Sequence, residues 1–227
     1  IVLLLAANLR EAFLNFPRHK FLPEEVPEEL AWQDKSLGMY EIEIPGAGIC
    51  RITQSQPTFV LEMLAHLSLN DGLGSILEIG CGTGWVMSML SRFTDHVYGS
   101  DVFSDICNLC NENLALHNIK SAEAHCVEFG TVGIPQYAPY DRIIANCGMN
   151  FLDLHRVISQ LAPKGIAVVP IRVLSITLEE VLRMNPELIG IAAIPNRDLC
   201  VLHKITRFDT DEVRVERITT CTFVPFL

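Results

Sequence analysis

Ser75-Ile76-Leu77-Glu78-Ile79-Gly80-Cys81-Gly82-Thr83-Gly84-Trp85 holds a buried strand, a glycine-rich turn and the start of a helix in one short run. The apolar stretch up to Ile79 has the length of a strand covered on both faces, and glycines at 80, 82 and 84 permit a tight turn whose backbone a ligand can approach closely. The spacing discriminates between ligands. A dinucleotide site wants its third glycine three positions after the second, where the helix packs close and a pyrophosphate rests on its N-terminus, but Trp85 stands there. The third glycine sits at 84 instead, and Glu78 precedes the first by two residues. This is a nucleotide-type ligand site of another kind.

Downstream, Val97-Tyr98-Gly99-Ser100-Asp101 reads as the next strand, ending in a carboxylate a little over twenty residues after Glu78. A carboxylate there can accept both hydroxyls of a ribose. Asp101 also suits a helix N-cap ahead of Phe103–His117. With the glycine turn upstream, the ribose role is favoured, and Val102 belongs beside it. The G-x-G-x-G turn with its preceding Glu resembles the S-adenosylmethionine-dependent methyltransferases, whose cofactor has no phosphate to cradle.

The 227 residues, 49% hydrophobic, predict one globular domain with a sizeable core. A formal charge of −10, a pI near 5.1 and no Lys/Arg cluster argue against a nucleic-acid partner. The eight cysteines do not form a disulfide-framework pattern, because several fall in expected strands or helices of a chain long enough to need no staples. A reducing cytoplasm is therefore expected. Cys107 and Cys110 make one C-x-x-C, but no second pair at zinc spacing follows; packing is their expected role and no metal site is read. The opening Ile1–Ala7 is far shorter than the roughly 20 apolar residues of a membrane span, so no membrane partner is expected and an amphipathic helix start is. The sequence opens without a Met, which leaves the true N-terminus open.

Along the chain, a first helix ends near Asn15, and Pro17, Pro23 and Pro27 then forbid a continuous helix. Gly38 to Cys50 reads as irregular or short hairpin structure. Thr53-Gln54-Ser55-Gln56-Pro57 reads as a polar loop into a helix from about Thr58 to Leu69, with Pro57 suited to its first turn. Strands at 75–79, 97–101, 122–127, 141–146 and 166–171 alternate with helices at 84–93, 104–117 and 152–161. Such alternation implies a mostly parallel sheet covered on both faces. Ala162-Pro163-Lys164-Gly165 is a turn, and Leu174–Met184 is a further helical candidate. Leu199–Ile205 and Val213–Val224 read as an antiparallel pair closing the sheet edge. Residues 1–56 form an expected wrapping segment and substrate loop, and 57–227 the cofactor-binding core, of a single domain.

Several further runs carry a more specific resemblance: Pro17-Arg18-His19-Lys20-Phe21-Leu22-Pro23, Ala31-Trp32-Gln33-Asp34, Thr53 to Pro57, Gly130-Thr131-Val132-Gly133, Ala138-Pro139-Tyr140-Asp141, Gln160-Leu161-Ala162-Pro163 and Phe223-Val224-Pro225. Together with the glycine turn they resemble the protein-L-isoaspartate O-methyltransferases across nearly the whole chain. The resemblance implies a doubly wound, Rossmann-like α/β sheet of seven strands, mostly parallel with antiparallel C-terminal strands. It also implies transfer of methyl from S-adenosylmethionine to the carboxylate of an isoaspartyl or D-aspartyl residue in a protein or peptide. The ester promotes succinimide formation, and hydrolysis then regenerates some normal aspartate. A carboxylate is already ionised near neutral pH and needs no strong general base, so positioning should dominate.

By the same resemblance Ser55 is the loop serine beside the reacting centre, the alternative being a helix cap. Thr53 and Gln54 shape the substrate loop. Glu78, Gly80, Cys81, Gly82, Gly84, Asp101 and Val102 surround the cofactor, with Glu128, Phe129 and Asn146 as further candidates. The sequence departs from the family in three places. Glu128-Phe129-Gly130 replaces a Gly-Asp-Gly, Cys147 to Phe151 replaces small residues and a proline, and Ile171-Arg172 replaces a small residue and glycine. Phe129 is a candidate to stack on adenine, and Arg172 to pair with a second peptide carboxylate. These departures keep open a branch that methylates aspartates of ribosomally made peptides, and a cofactor-binding adaptor that has lost catalysis. A small-molecule methyltransferase would need a base, for which His19 and His125 are the candidates.

Overall fold

The computed structural model describes residues 6–44, 48–173, 199–224 and 226–227. The helix expected over Leu174–Met184 and the start of the opening apolar run lie outside them.

The apolar run before the glycine turn forms β3 (Ile76–Ile79), buried at every position. It pairs in parallel with β4 (Val97–Asp101) on one side and β6 (Tyr140–Ala145) on the other. β5 (Ala122–Cys126) extends the parallel sheet beyond β4, and β7 (Leu161–Arg172) extends it beyond β6. β8 (Leu199–Arg207) and β9 (Val213–Thr222) then add antiparallel, giving the order β5-β4-β3-β6-β7-β8-β9. The fold is thus a seven-stranded, mostly parallel sheet with an antiparallel C-terminal edge.

Alternation along each strand divides the core into two layers. Ile76, Ile144 and Val168 face one layer, with α3 (Pro57–His66), α4 (Trp85–Leu90) and α5 (Ser104–Leu116). Leu77, Ile143, Ala167 and Val169 face the other, with Val132, Ile134 and α6 (Leu154–Ser159). Cys107 and Cys110 are buried in the first layer, as packing residues. All eight cysteines are free thiols. α1 (Ala7–Asn15) packs Leu9 and Ala12 into the first layer, and Phe13 lies 6.2 Å from Trp85 of α4. After it come a 3-10 turn at Arg18–Phe21, the short α2 (Glu28–Ala31) and an antiparallel hairpin of β1 (Leu37–Ile44) and β2 (Gly48–Gln54).

Several boundaries differ from the sequence reading. Thr53 and Gln54 are not loop but the end of β2, in register with Gly38 and Leu37, so pairing with β1 satisfies backbone that their polar side chains had suggested was free. The turn at 162–165 lies inside β7: Leu161 pairs with Tyr140, the register jumps to Ile166 opposite Arg142, and Lys164 takes the looped-out left-handed conformation at φ 64°. α6 is also shorter than expected, because 151–153 coil as a 3-10 turn.

Candidate active site

At the carboxyl ends of β3, β4 and β6 the turn 80–84 opens onto a cleft of about 620 Å³. The turn is built by its glycines: Gly80, Gly82 and Gly84 have φ of 78°, 51° and 85°. The backbone N–H groups of Gly80 and Cys81 both donate to Ser100 O, so the turn hangs from the neighbouring strand. A Cβ at Gly82 would meet no atom within 4 Å, which leaves the open side of the turn for a ligand.

Asp101 lines this cleft. Its Oδ1 accepts from Phe103 N–H at 3.3 Å and its Oδ2 from Gly82 N–H at 3.4 Å. The helix α5 begins only at Ser104, with Phe103 at the N-cap position and no side-chain cap, so Asp101 ties the next strand to the glycine turn rather than capping the helix. Burial raises its pKa, opposed by the backbone N–H groups of Phe103, Gly82 and Val102. Val102 lies in the same lining.

Glu78 is 1% exposed. One carboxylate oxygen accepts from the Asn146 side-chain amide and the other, Oε2, is buried without a partner. Burial pushes this carboxyl well above the ordinary range; the Asn146 hydrogen bond opposes the rise and nearby Asp101 adds to it. Glu78, Cys81, Thr83 and Trp85 line a second compartment that shares Gly80, Gly82 and Asn146 with the first. A buried, half-satisfied carboxylate beside a turn with an open side is what a ligand carrying an ammonium and ribose hydroxyls requires.

Ser55, half-buried, stands where this second compartment meets a third, lined by Ser36, Gln56, Phe59, Thr220, Thr222, Phe223 and others. Thr53 lines all three compartments. The cap reading of Ser55 does not hold: Gln56 occupies the N-cap position of α3, and the N–H of Thr58 is met by Asp34 Oδ1 at 3.0 Å. Gln54 is buried and donates from its side chain to Thr83 Oγ1 at 3.3 Å, joining the end of β2 to the glycine turn.

Not every expected residue reaches the cleft. Glu128 and Phe129 are exposed and absent from its lining; Phe129 meets Phe103 edge-on at 5.9 Å, and Val127 and Thr131 line the cleft in their place. Gly130, at a φ of 78°, separates the exposed pair from Thr131. Arg172 ends β7, its N–H donating to Met149 O, and it lines none of the three compartments. Gly84, at the foot of the turn, abuts Cys110 rather than the cleft.

Other lining residues went unread in the sequence. Cys50 and Ile52 enter from β2, signalled only by alternation within the hairpin. Cys147 follows Asn146 directly. Val224, Phe226 and Leu227 come from the tail, which Gly148 anchors by donating to Val224 O at 2.7 Å and accepting from Phe226 N–H at 3.0 Å. No local pattern marks such a long-range approach.

Residues 3–193 match the family model for protein-L-isoaspartate(D-aspartate) O-methyltransferase. The chain is 33% identical over 183 residues to a protein-L-isoaspartate O-methyltransferase of Methanosarcina mazei, covering 79% of this chain and 69% of that one. It is 29% identical to one from Geotalea uraniireducens over 99% of this chain and 89% of the relative. A solved protein-L-isoaspartate O-methyltransferase shares the fold at a TM-score of 0.74 and 22% identity, over 97% of this chain and 61% of the longer one. A Plasmodium falciparum structure in complex with S-adenosyl-L-homocysteine shares it at a TM-score of 0.67 and 16% identity, over 98% and 91%.

Proposed function

Because the chain belongs to the protein-L-isoaspartate(D-aspartate) O-methyltransferase family, we propose that it methylates the carboxylate of isoaspartyl or D-aspartyl residues in proteins and peptides, with Ser55 at the reacting centre. S-Adenosylmethionine, when bound, supplies a methyl group on a positively charged sulfur. Asp101 is the group to accept from ribose hydroxyls, and the open side of the turn at Gly82 admits the cofactor backbone-close. The Glu78–Asn146 pair leaves a buried carboxyl oxygen without a protein partner beside the turn, ready to meet a donor on the cofactor.

One observation supports the substrate assignment: the described residues lining the compartment beyond Ser55 offer hydroxyl, amide, thiol and apolar side chains, and among them there is no histidine, lysine or carboxylate. A hydroxyl or amine acceptor wants a base there, whereas a carboxylate arrives ionised and needs only orientation. His19 lies against Trp32 and Glu28, and His125 against Tyr137 and Glu123, so neither serves as that base. The Ser55 hydroxyl, which has no protein partner among the described residues, is available to orient the acceptor. Exclusion of water around the reacting atoms and a fixed in-line approach then supply the rate.

The test is transfer of labelled methyl to matched peptides carrying isoaspartate or normal aspartate, with base-labile ester as readout. Label on the isoaspartyl peptide supports repair. Label on the normal aspartyl peptide alone supports a dedicated peptide-modifying enzyme, and cofactor binding without label supports an adaptor. Ser55→Ala is expected to lower kcat on the isoaspartyl peptide by about 10²-fold, the scale of one lost orienting contact; full turnover would remove Ser55 from the mechanism. A cytoplasmic setting is proposed from the eight free thiols. Among the described residues no helix is long and apolar enough to cross a membrane.

A further inference from the structure

Ser55 is held from both sides by two residues that line none of the three compartments. On its N-terminal side, the backbone carbonyl of Gln54 accepts from Arg18 Nη2 at 2.9 Å. The same buried guanidinium donates to Lys35 O at 2.9 Å and Gln33 O at 3.3 Å, the carbonyls that flank Asp34. It also lies over the ring of Trp85, 5.8 Å from the centroid, at the exit of the glycine turn. On the C-terminal side, Asp34 Oδ2 accepts from the Gln56 side chain at 3.1 Å and from Thr58 Oγ1 at 2.7 Å, while its Oδ1 accepts from Thr58 N–H. Arg18 thus fixes the peptide before Ser55 and the segment that carries Asp34, and Asp34 fixes the residues after Ser55. The circuit closes on a single residue whose own hydroxyl is left unengaged.

We infer that Arg18 and Asp34 form a two-sided clamp that sets the direction of the Ser55 hydroxyl, which makes both of them positioning residues for methyl transfer. The inference rests on the reading of Ser55 proposed above. Its physical basis is that anchoring the peptide units on either side of a residue fixes its Cα–Cβ direction, and a misplacement of about 1 Å at a reacting centre costs on the order of 10²-fold in rate. Asp34 is exposed, so its replacement leaves the core untouched. Arg18 is buried, and its multiple carbonyl partners suit the planar guanidinium where a lysine ammonium cannot span them.

A double-mutant cycle tests this, read as kcat and KM on an isoaspartyl peptide together with the dissociation constant of S-adenosylhomocysteine. Asp34→Ala is expected to lower kcat by roughly 10–100-fold while cofactor-product affinity changes less than about threefold, because Asp34 touches neither Asp101 nor the glycine turn. In a Ser55→Ala background the same change should cost less than about twofold, since a residue acting through Ser55 has nothing left to position. Asp34→Asn keeps an acceptor for Thr58 N–H and should recover part of the loss. Arg18→Lys should follow the same pattern, and the exposed Asp34 variants decide the matter if it misfolds. Losses that multiply in the double variant, or a fall in cofactor-product affinity that matches the fall in kcat, overturn the clamp while leaving the methyltransferase reading intact. Wild-type protein that labels no isoaspartyl peptide overturns both.

Discussion

Asp101 carries the clearest acid-base consequence of the site. Burial raises its pKa, and ribose hydroxyls donate to the ionised form, so binding and ionisation favour one another. In the free protein a carboxylate with a raised folded pKa contributes most to stability below its unfolded value and loses that contribution as pH rises toward the folded one. Cofactor works against this shift. Affinity should therefore strengthen as pH climbs from the ordinary carboxylate range through the raised value and level off above it, with proton release on binding inside that window. Calorimetry in buffers of different ionisation enthalpy reads this directly. Asp101→Asn should flatten most of the slope, Glu78 retaining the rest, and weaken binding by about 1.5–3 kcal/mol, the worth of hydrogen bonds to a charged group. An unchanged pH slope would remove Asp101 from the ribose site. The turn and Asp101 were legible because backbone need and side-chain chemistry coincide at fixed spacing. Glu128 and Phe129 misled because which residues of the turn after β5 face the cleft is set by the path of the backbone and not by side-chain type: Val127 and Thr131 line it, and the exposed pair does not.

Among elements, the glycine turn separates folding from binding. At Gly84 an alanine Cβ would lie 2.9 Å from Cys110 Sγ in the core, with backbone at φ 85°. Left-handed strain of about 1–2 kcal/mol and overpacking of about 1–3 kcal/mol place Gly84→Ala at about 2–5 kcal/mol of destabilisation. For a domain of this size that is a fall in Tm of roughly 4–20 °C. Gly82→Ala carries the backbone strain alone, since its Cβ meets nothing within 4 Å, and should cost about 1–2 kcal/mol of stability while weakening cofactor binding more than Gly84→Ala does. Thermal melts with and without S-adenosylhomocysteine rank the two, and the reverse ranking would misplace the open side of the turn. Strand identity was readable from the apolar runs, yet the extents of β2 and β7 were not. Polarity conceals pairing at Thr53 and Gln54, and a looped-out segment conceals the continuation of β7 back to Leu161.

Over the whole molecule, the cleft draws on residues as far apart as Cys50 and Leu227, with the sheet between them. Saturating cofactor at about 100 times its Kd should then stabilise the protein by about 2.7 kcal/mol, a rise in Tm of roughly 5–11 °C. A chain shortened to remove residues 224–227 should lose most of that shift while still melting cooperatively, because Val224, Phe226 and Leu227 add cleft wall to a sheet already complete at Thr222. A full shift in the shortened chain would show that the tail does not contribute to the wall. The parallel half of the sheet was evident from alternating strands and helices, but the reach of the tail into the cleft follows from two hydrogen bonds to Gly148 that leave no periodic trace. That reach also orders events during synthesis. The glycine turn and the parallel strands around it are complete in the sequence by Arg172, so a growing chain builds its binding platform before Val224, Phe226 and Leu227 arrive to wall it.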